Sequence, residues 1–404
     1  MKNLYNKFFK YLKEKSLIYH LKISIWKNRR MYKCYDFIAN KKKIENRKIV
    51  FSNMGGIGYG GDPKYISEYI LENDLNYELV WLVDKYLCTN LESFPEKIKI
   101  VDIYSLHALY EMATAHFWID NCRKMIYPPK KKDQIYLQTW HGTFPTKYIE
   151  KDAEENLSPT YIKNAKRDSQ MINYIVSGCK YKTYIYHNSF YYDGEILEIG
   201  TPKEDIFFQP KLMEKVKDKV KEYYKIGKQV SIILYAPTFR KNMSLDVYQL
   251  DYDSVLTKFQ TFYGNSCKLF FRLHPNLISL SKEMHLPPNV INVTEYPDMQ
   301  ELLCASDAII SDYSSTLDYS IFNRPVFLYC PDLHEYQGCD RQLYIKLQDL
   351  PFPLAETNDE LVNNIKNFNS KEYIEKLNNV YRQYGLCEKG VASETIVKLF
   401  EKLC

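Results

Sequence analysis

Residues 307–329, DAIISDYSSTLDYSIFNRPVFLY, decide the fold. Ala308-Ile309-Ile310 is a short apolar run of buried-strand type, and Val326-Phe327-Leu328-Tyr329 is a second. Between them Ser314, Ser315 and Thr316 stand where a helix should begin, and Asn323 with Pro325 marks where it should stop. The pattern predicts strand, turn, helix (315–322) and strand. A helix N-terminus presents unpaired backbone N–H groups and a partial positive charge. Three hydroxyls at that point suit a diphosphate. The competing explanation is that one serine merely caps the helix.

Upstream, the same rhythm repeats. Strands are expected at 49–51, 78–83, 98–103, 117–119, 135–137, 174–176 and 196–199, with helices at 63–71, 105–115 and 161–172. A Lys-rich helix at 211–225 leads into a second series, with strands at 230–235, 268–273 and 290–293 and helices at 254–262 and 298–304. Three helices near 358–368, 371–384 and 391–402 close the chain. Alternation of this kind builds parallel, doubly wound α/β sheets. Two Rossmann-like domains, 48–208 on the acceptor side and 209–404 on the donor side, facing across a cleft, fit the layout called GT-B.

With 404 residues, 45% hydrophobic and 26% charged, the chain is long enough for two cores and has the balance of a soluble globular protein. Its net charge of +5 is uneven: residues 1–50 carry +12 and the remainder −7. Residues 1–47 interleave lysines and arginines with aromatics, and Leu4, Phe8, Tyr11, Leu12 and Tyr19 fall roughly on one helical face. Such a segment suits an anionic membrane surface; the alternative is a helix docked on the body. No nucleic-acid motif accompanies the charge. Ten cysteines without a C-x-x-C pair suggest reduced thiols in the cytosol. No apolar run approaches the length of a membrane span, and lysines interrupt every candidate signal core. The expected location is peripheral, on the cytoplasmic face of the membrane.

The chemistry clusters at strand ends, where ligands of open α/β sheets collect. Trp140-His141-Gly142-Thr143 follows the 135–137 strand, and His141 there is well placed as a general base. Arg272 and His274 sit two apart on a strand, so they point the same way, and suit phosphate oxygens. Thr238 and Arg240 follow the 230–235 strand. Three strand ends of the second half thus carry phosphate-compatible groups: Thr238/Arg240, Arg272/His274 and Ser314/Ser315. A rival signal is Gly56-Ile57-Gly58-Tyr59-Gly60-Gly61, a G-x-G-x-x-G match with Asp84 ending the next strand. Asp62-Pro63, read as N-cap and first helical residue, puts a carboxylate where a pyrophosphate should bind. An acceptor-side loop is the better reading.

These residues resemble the CDP-glycerol glycerophosphotransferases, which prime and polymerise teichoic acids and related capsules. The similarity runs in order through YGGDPKYISEYI (59–70), LQTWHGTFPTK (137–147), IGTPKEDIF (199–207), ILYAPTFR (233–240), RLHP (272–275) and ISDYSSTLDYSIFNRPVFLY (310–329). WHGT and SDYSS with NRP are the specific motifs. The resemblance implies a GT-B fold and attack by an acceptor hydroxyl on the β-phosphorus of CDP-glycerol, expelling CMP. It implies His141 as the base, His274 at the diphosphate, and the segment carrying Asp312, Ser314, Ser315 and Asp318 around the CDP moiety; the strand-end reading adds Thr238, Arg240, Arg272 and Thr316 to the donor site. Trp140, Gly142, Thr143 and Lys147 would face a lipid-linked or polysaccharide acceptor. The family usually has Pro-Leu-Lys after WHGT; Phe144-Pro145-Thr146-Lys147 shifts the lysine. No cofactor is required by these residues, and a divalent ion is left open. Other CDP-polyols such as CDP-ribitol, a nucleoside diphosphate sugar, or a non-catalytic membrane-surface role are the alternatives.

Overall fold

The computed structural model describes residues 29–88, 91–124, 128–144, 146–238, 240, 248–274, 277–313, 316–333 and 342–404. Strands β1 (Glu45–Ser52), β2 (Glu78–Val83), β3 (Lys99–Asp102), β4 (Ala115–Asp120), β5 (Ile135–Gln138), β6 (Tyr174–Ser177) and β7 (Glu195–Glu198) form one sheet. A second contains β8 (Ser231–Ala236), β9 (Cys267–Phe271), β10 (Val290–Asn292), β11 (Ala308–Ser311), β12 (Val326–Tyr329) and β13 (Leu354–Ala355). Their orders are β3-β2-β1-β4-β5-β6-β7 and β10-β9-β8-β11-β12-β13, with parallel pairing throughout. Both orders run outward from a central switch between the first and fourth strands, as in a doubly wound fold. This is the GT-B-like architecture expected. The central strands are continuous apolar runs because helices cover both of their faces; every residue of β4 and β11 is buried.

The decisive stretch folds as strand, turn, helix, strand, but its helix is short. It spans Thr316–Ser320, and the chain then passes Asn323 in a left-handed conformation, φ 57°. Asparagine tolerates that conformation better than most residues. Ser314 and Ser315 lie outside the described residues.

Two elements depart from a simple division at residue 208. The helix Arg29–Lys41 docks on the helix Leu106–Thr114, with Tyr35 buried and Ile38 and Ala39 packed in the same cluster. That part of the basic head belongs to the body; residues 1–28 lie outside the described residues. The helix Ala392–Leu403 returns to the first sheet. Its Ile396, Val397 and Phe400 complete the core over β1 and β4, where Phe400 stacks on Phe117 at 4.1 Å. Arg47 and Glu401 clamp its end through hydrogen bonds of 2.8 and 2.9 Å.

The halves are tied to each other at several points. Lys64, buried on the helix Gly61–Glu72, pairs with Asp298 and, at 3.3 Å, with Glu301 of the second half. Residues 146–148 pair with 342–344: Tyr148 N–H donates to Gln342 O and Tyr344 N–H to Thr146 O, both at 2.9 Å. Among the described residues no helix is long and apolar enough to cross a membrane.

Candidate active site

β5 ends at Gln138, and the loop that follows is held in an unusual shape. Trp140 has φ 53° and Gly142 φ 78°. The first is a conformation that costs a bulky residue energy and persists only where its surroundings enforce it. Here they do. The Trp140 N–H donates to the Gln138 side chain at 2.9 Å, and its indole meets Phe190 edge-on at 4.9 Å. Beneath lies buried Arg123, its guanidinium 3.7 Å from the Phe190 ring and paired with Glu150 at 3.1 Å and Asp168 at 3.3 Å.

The His141 ring is exposed and stacks on Trp140 at 4.5 Å. Its Nδ1 lies 3.3 Å from the carbonyl oxygen of Asn121. A proton on Nδ1 satisfies that carbonyl and makes Nε2 the basic nitrogen, the tautomer a general base needs. Asn121 is itself fixed: its Oδ1 accepts from Met54 N–H at 2.7 Å, and its Nδ2 donates to Asn53 Oδ1 at 2.7 Å. A Cβ on Gly61, φ 61°, would come within 2.5 Å of Asn121 Nδ2, so the glycine-rich loop is packed as the shoulder of the histidine loop.

The dinucleotide signal is engaged in local structure. Asp84 is fully buried and its Oδ1 closes a turn by accepting Tyr86 N–H at 2.9 Å. Asp62 is not the N-cap expected; Gly60 occupies that position and Asp62 sits in the first turn. Its Oδ1 accepts Lys203 N–H at 3.0 Å.

Thr143 is buried rather than facing an acceptor. Its hydroxyl donates to Glu388 at 2.8 Å and lies 3.0 Å from the Thr201 hydroxyl. Burial raises the Glu388 pKa to about 7 against the opposing effect of these bonds. Lys147 stands on the 146–148 segment that pairs with the second half, and its charge reaches His274.

In the second half, β8 and β11 are neighbours, with Ala236 opposite Ser311. Just past their ends, Asp312 accepts from Thr238 N–H at 2.9 Å, from the Thr238 hydroxyl at 2.5 Å and from Arg240 at 2.9 Å. Arg240 is also bound by Asp332, at 2.6 and 3.0 Å. The sequence brings Thr238, Arg240 and Asp312 together correctly, but as a closed ion-pair lattice; Arg240 is a brace whose charge is already matched. Asp318 is likewise engaged by the protein: its Oδ1 accepts Thr143 N–H at 2.9 Å. Thr316 opens the short helix.

Arg272 and His274 do not share a strand face, because β9 stops at Phe271. Arg272 donates to the carbonyls of Tyr296 at 2.8 Å and Val293 at 3.5 Å, and burial lowers its pKa to about 10. His274 reaches solvent. Even so, desolvation first, and the Lys147 and Arg272 cations second, hold its pKa below the ordinary 6.5. A depressed histidine pKa means the unfolded chain binds more protons, so its contribution to stability is present above the unfolded value and lost as pH falls through the folded one. Denaturant melts at about pH 7 and about pH 5 should show wild type losing more stability than His274→Gln, which cannot titrate; equal losses would place the ring in bulk solvent.

Asn121, Lys203, Asp332 and Glu388 were not singled out by the sequence. Asn121 had a signal, since it directly follows the Asp120 end of β4; the others had none that is local. No group of three or more His, Cys, Asp or Glu side chains placed to hold a metal occurs among the described residues.

Comparison with known proteins finds relatives along the length of the chain. The chain is 30% identical over 420 residues to the teichoic acid poly(glycerol phosphate) polymerase of Staphylococcus epidermidis, spanning 100% of this chain and 57% of that protein. The chain therefore covers little more than half of that relative. It is 30% identical over 373 residues to the protein of the same name from Bacillus spizizenii, spanning 87% of this chain and 91% of that one. The solved wall teichoic acid polymerase TagF superposes with a TM-score of 0.79 at 28% identity, over 96% of this chain and 97% of that one; one of its structures was soaked with CDPG. The model of one protein family matches residues 34–402, which include both sheets and the histidine loop: the chain belongs to the CDP-glycerol:poly(glycerophosphate) glycerophosphotransferase family.

Proposed function

We propose that the chain transfers glycerol phosphate, or a related polyol phosphate, from a CDP-linked donor to an acceptor hydroxyl of a teichoic acid or capsular glycan. His141 Nε2 takes the hydroxyl proton as the oxygen attacks the β-phosphorus. The new O–P bond forms as the phosphoanhydride bond breaks, and CMP leaves. Family membership and the names of the relatives support the donor class. The observation that carries the reading is the meeting of the two halves at the histidine loop: Asp318, from the β11–β12 connection, bonds the backbone two residues from His141. Lys147, with the His274 ring that feels its charge, is assigned to the diphosphate. Such transfer depends mainly on positioning and charge stabilisation.

A donor panel with product detection tests this. CMP should appear from CDP-glycerol or CDP-ribitol and not from nucleoside diphosphate sugars; UDP or GDP release would mean a sugar transferase, and no release a non-catalytic protein. The basic residues 1–28 extend the proposal to the cytoplasmic surface of an anionic membrane. Vesicle pelleting should then weaken as salt rises, because screening shortens the reach of the charge; binding indifferent to salt and lipid charge would reject it.

A further inference from the structure

Asp318 belongs to the second half, in the helix that follows β11, yet its carboxylate serves the first. Oδ1 accepts from the N–H of Thr143 at 2.9 Å and of Phe144 at 3.4 Å, and Oδ2 lies 3.3 Å from Lys203 Nζ. The same short backbone stretch is gripped from two other sides. Lys182 donates to the Gly142 carbonyl, and Glu388 accepts the Thr143 hydroxyl. Gly142 lies beside it: a Cβ there would stand in ordinary contact, 3.5 Å from Asp318 Oδ2. Asp318 is buried, so these bonds are shielded from water and from screening.

Its helix follows the Asp312 lattice within a few residues, and Asp312 is what fixes the carboxyl ends of β8 and β11 relative to each other. On the CDP-donor reading, a nucleotide at those ends would lie beside Asp312, six residues before Asp318 in the chain. We propose that Asp318 is a positioning residue: it couples nucleotide occupancy at the donor strand ends to the set of the loop that carries His141. It is not a donor ligand. The inference rests on the CDP-donor reading above, and the experiment separates the two.

Hydrogen exchange of the 139–147 backbone is followed with and without CDP, alongside calorimetric CDP binding and steady-state turnover. In wild type, CDP should slow exchange of this loop. Asp318→Ala should abolish that slowing and lower kcat ~10–100-fold, the worth of charge-assisted hydrogen bonds, with the donor KM unchanged within about twofold. Asp318→Asn keeps an oxygen for the Thr143 N–H and should recover most of both effects. A raised donor KM with kcat retained in the alanine variant would make Asp318 a donor ligand and overturn the proposal. So would wild-type binding of CDP without slower exchange at 139–147, a result that needs no variant to fold. If CDP does not bind wild type at all, the donor reading falls, and the coupling with it.

Discussion

Replacing His141 with alanine lowers turnover about 10²- to 10⁴-fold, the usual worth of a general base. CDP affinity should not change, because the ring belongs to the first half and no donor strand end depends on it. The fold should also survive. The ring is exposed, and what holds the loop is its backbone and its neighbours: the Gln138 bond to Trp140, the Thr143 bonds to Asp318 and Glu388, and the Asn121 shoulder. Calorimetric CDP titration and single-turnover rates on the purified variant decide the matter. Normal CDP binding with near wild-type turnover would make His141 a loop-packing residue stacked on Trp140 and move the base elsewhere.

The second large effect is on stability. Arg240→Met should destabilise the protein by about 3–5 kcal/mol, the cost of leaving buried charges without their partner. Arg240 is buried between Asp312 and Asp332, and removing its charge leaves two carboxylates without their cation; among the described residues, Thr238 and Tyr313 also bond to them. Methionine keeps most of the side-chain volume, so the loss reports charge rather than packing. A free phosphate-binding arginine would behave in the opposite way, with donor affinity falling and melting temperature intact. Urea unfolding and CDP titration on the same variant separate the two.

The sequence shows the two sheets clearly because strands buried on both faces must be short apolar runs, and AIIS, VFLY and ELVWLV are that. The helix Lys180–Ser189 is not visible in the same way. KYKTYIYHNS is rich in Tyr, Thr and Ile, which favour strands, and its N-cap is Cys179 rather than a usual capping residue. The strand ends of the site are equally legible, since Thr238, Arg240, Asp312 and His141 all fall where the alternation puts them. What each side chain does there is not. Whether an arginine awaits a phosphate or is already neutralised depends on Asp332, 92 residues away from Arg240 in the chain, and no local pattern records that. The expected strand at 268–273 runs two residues past the end of β9 at Phe271, because the apolar pattern continues in Leu273. The amphipathic pattern of Ala392–Leu403 says that one face is buried but not which sheet it covers.

The return of that helix to the first sheet has a consequence for synthesis. A ribosome delivers β1 and β4 early, but the aromatic face of Phe117 waits uncovered until Phe400 emerges, 283 residues later by the numbering of the contact. Every strand of the second sheet is available before then, so the half made first is the half finished last. During that interval the nascent chain leaves uncovered the apolar face that Ile396, Val397 and Phe400 fill in the finished fold.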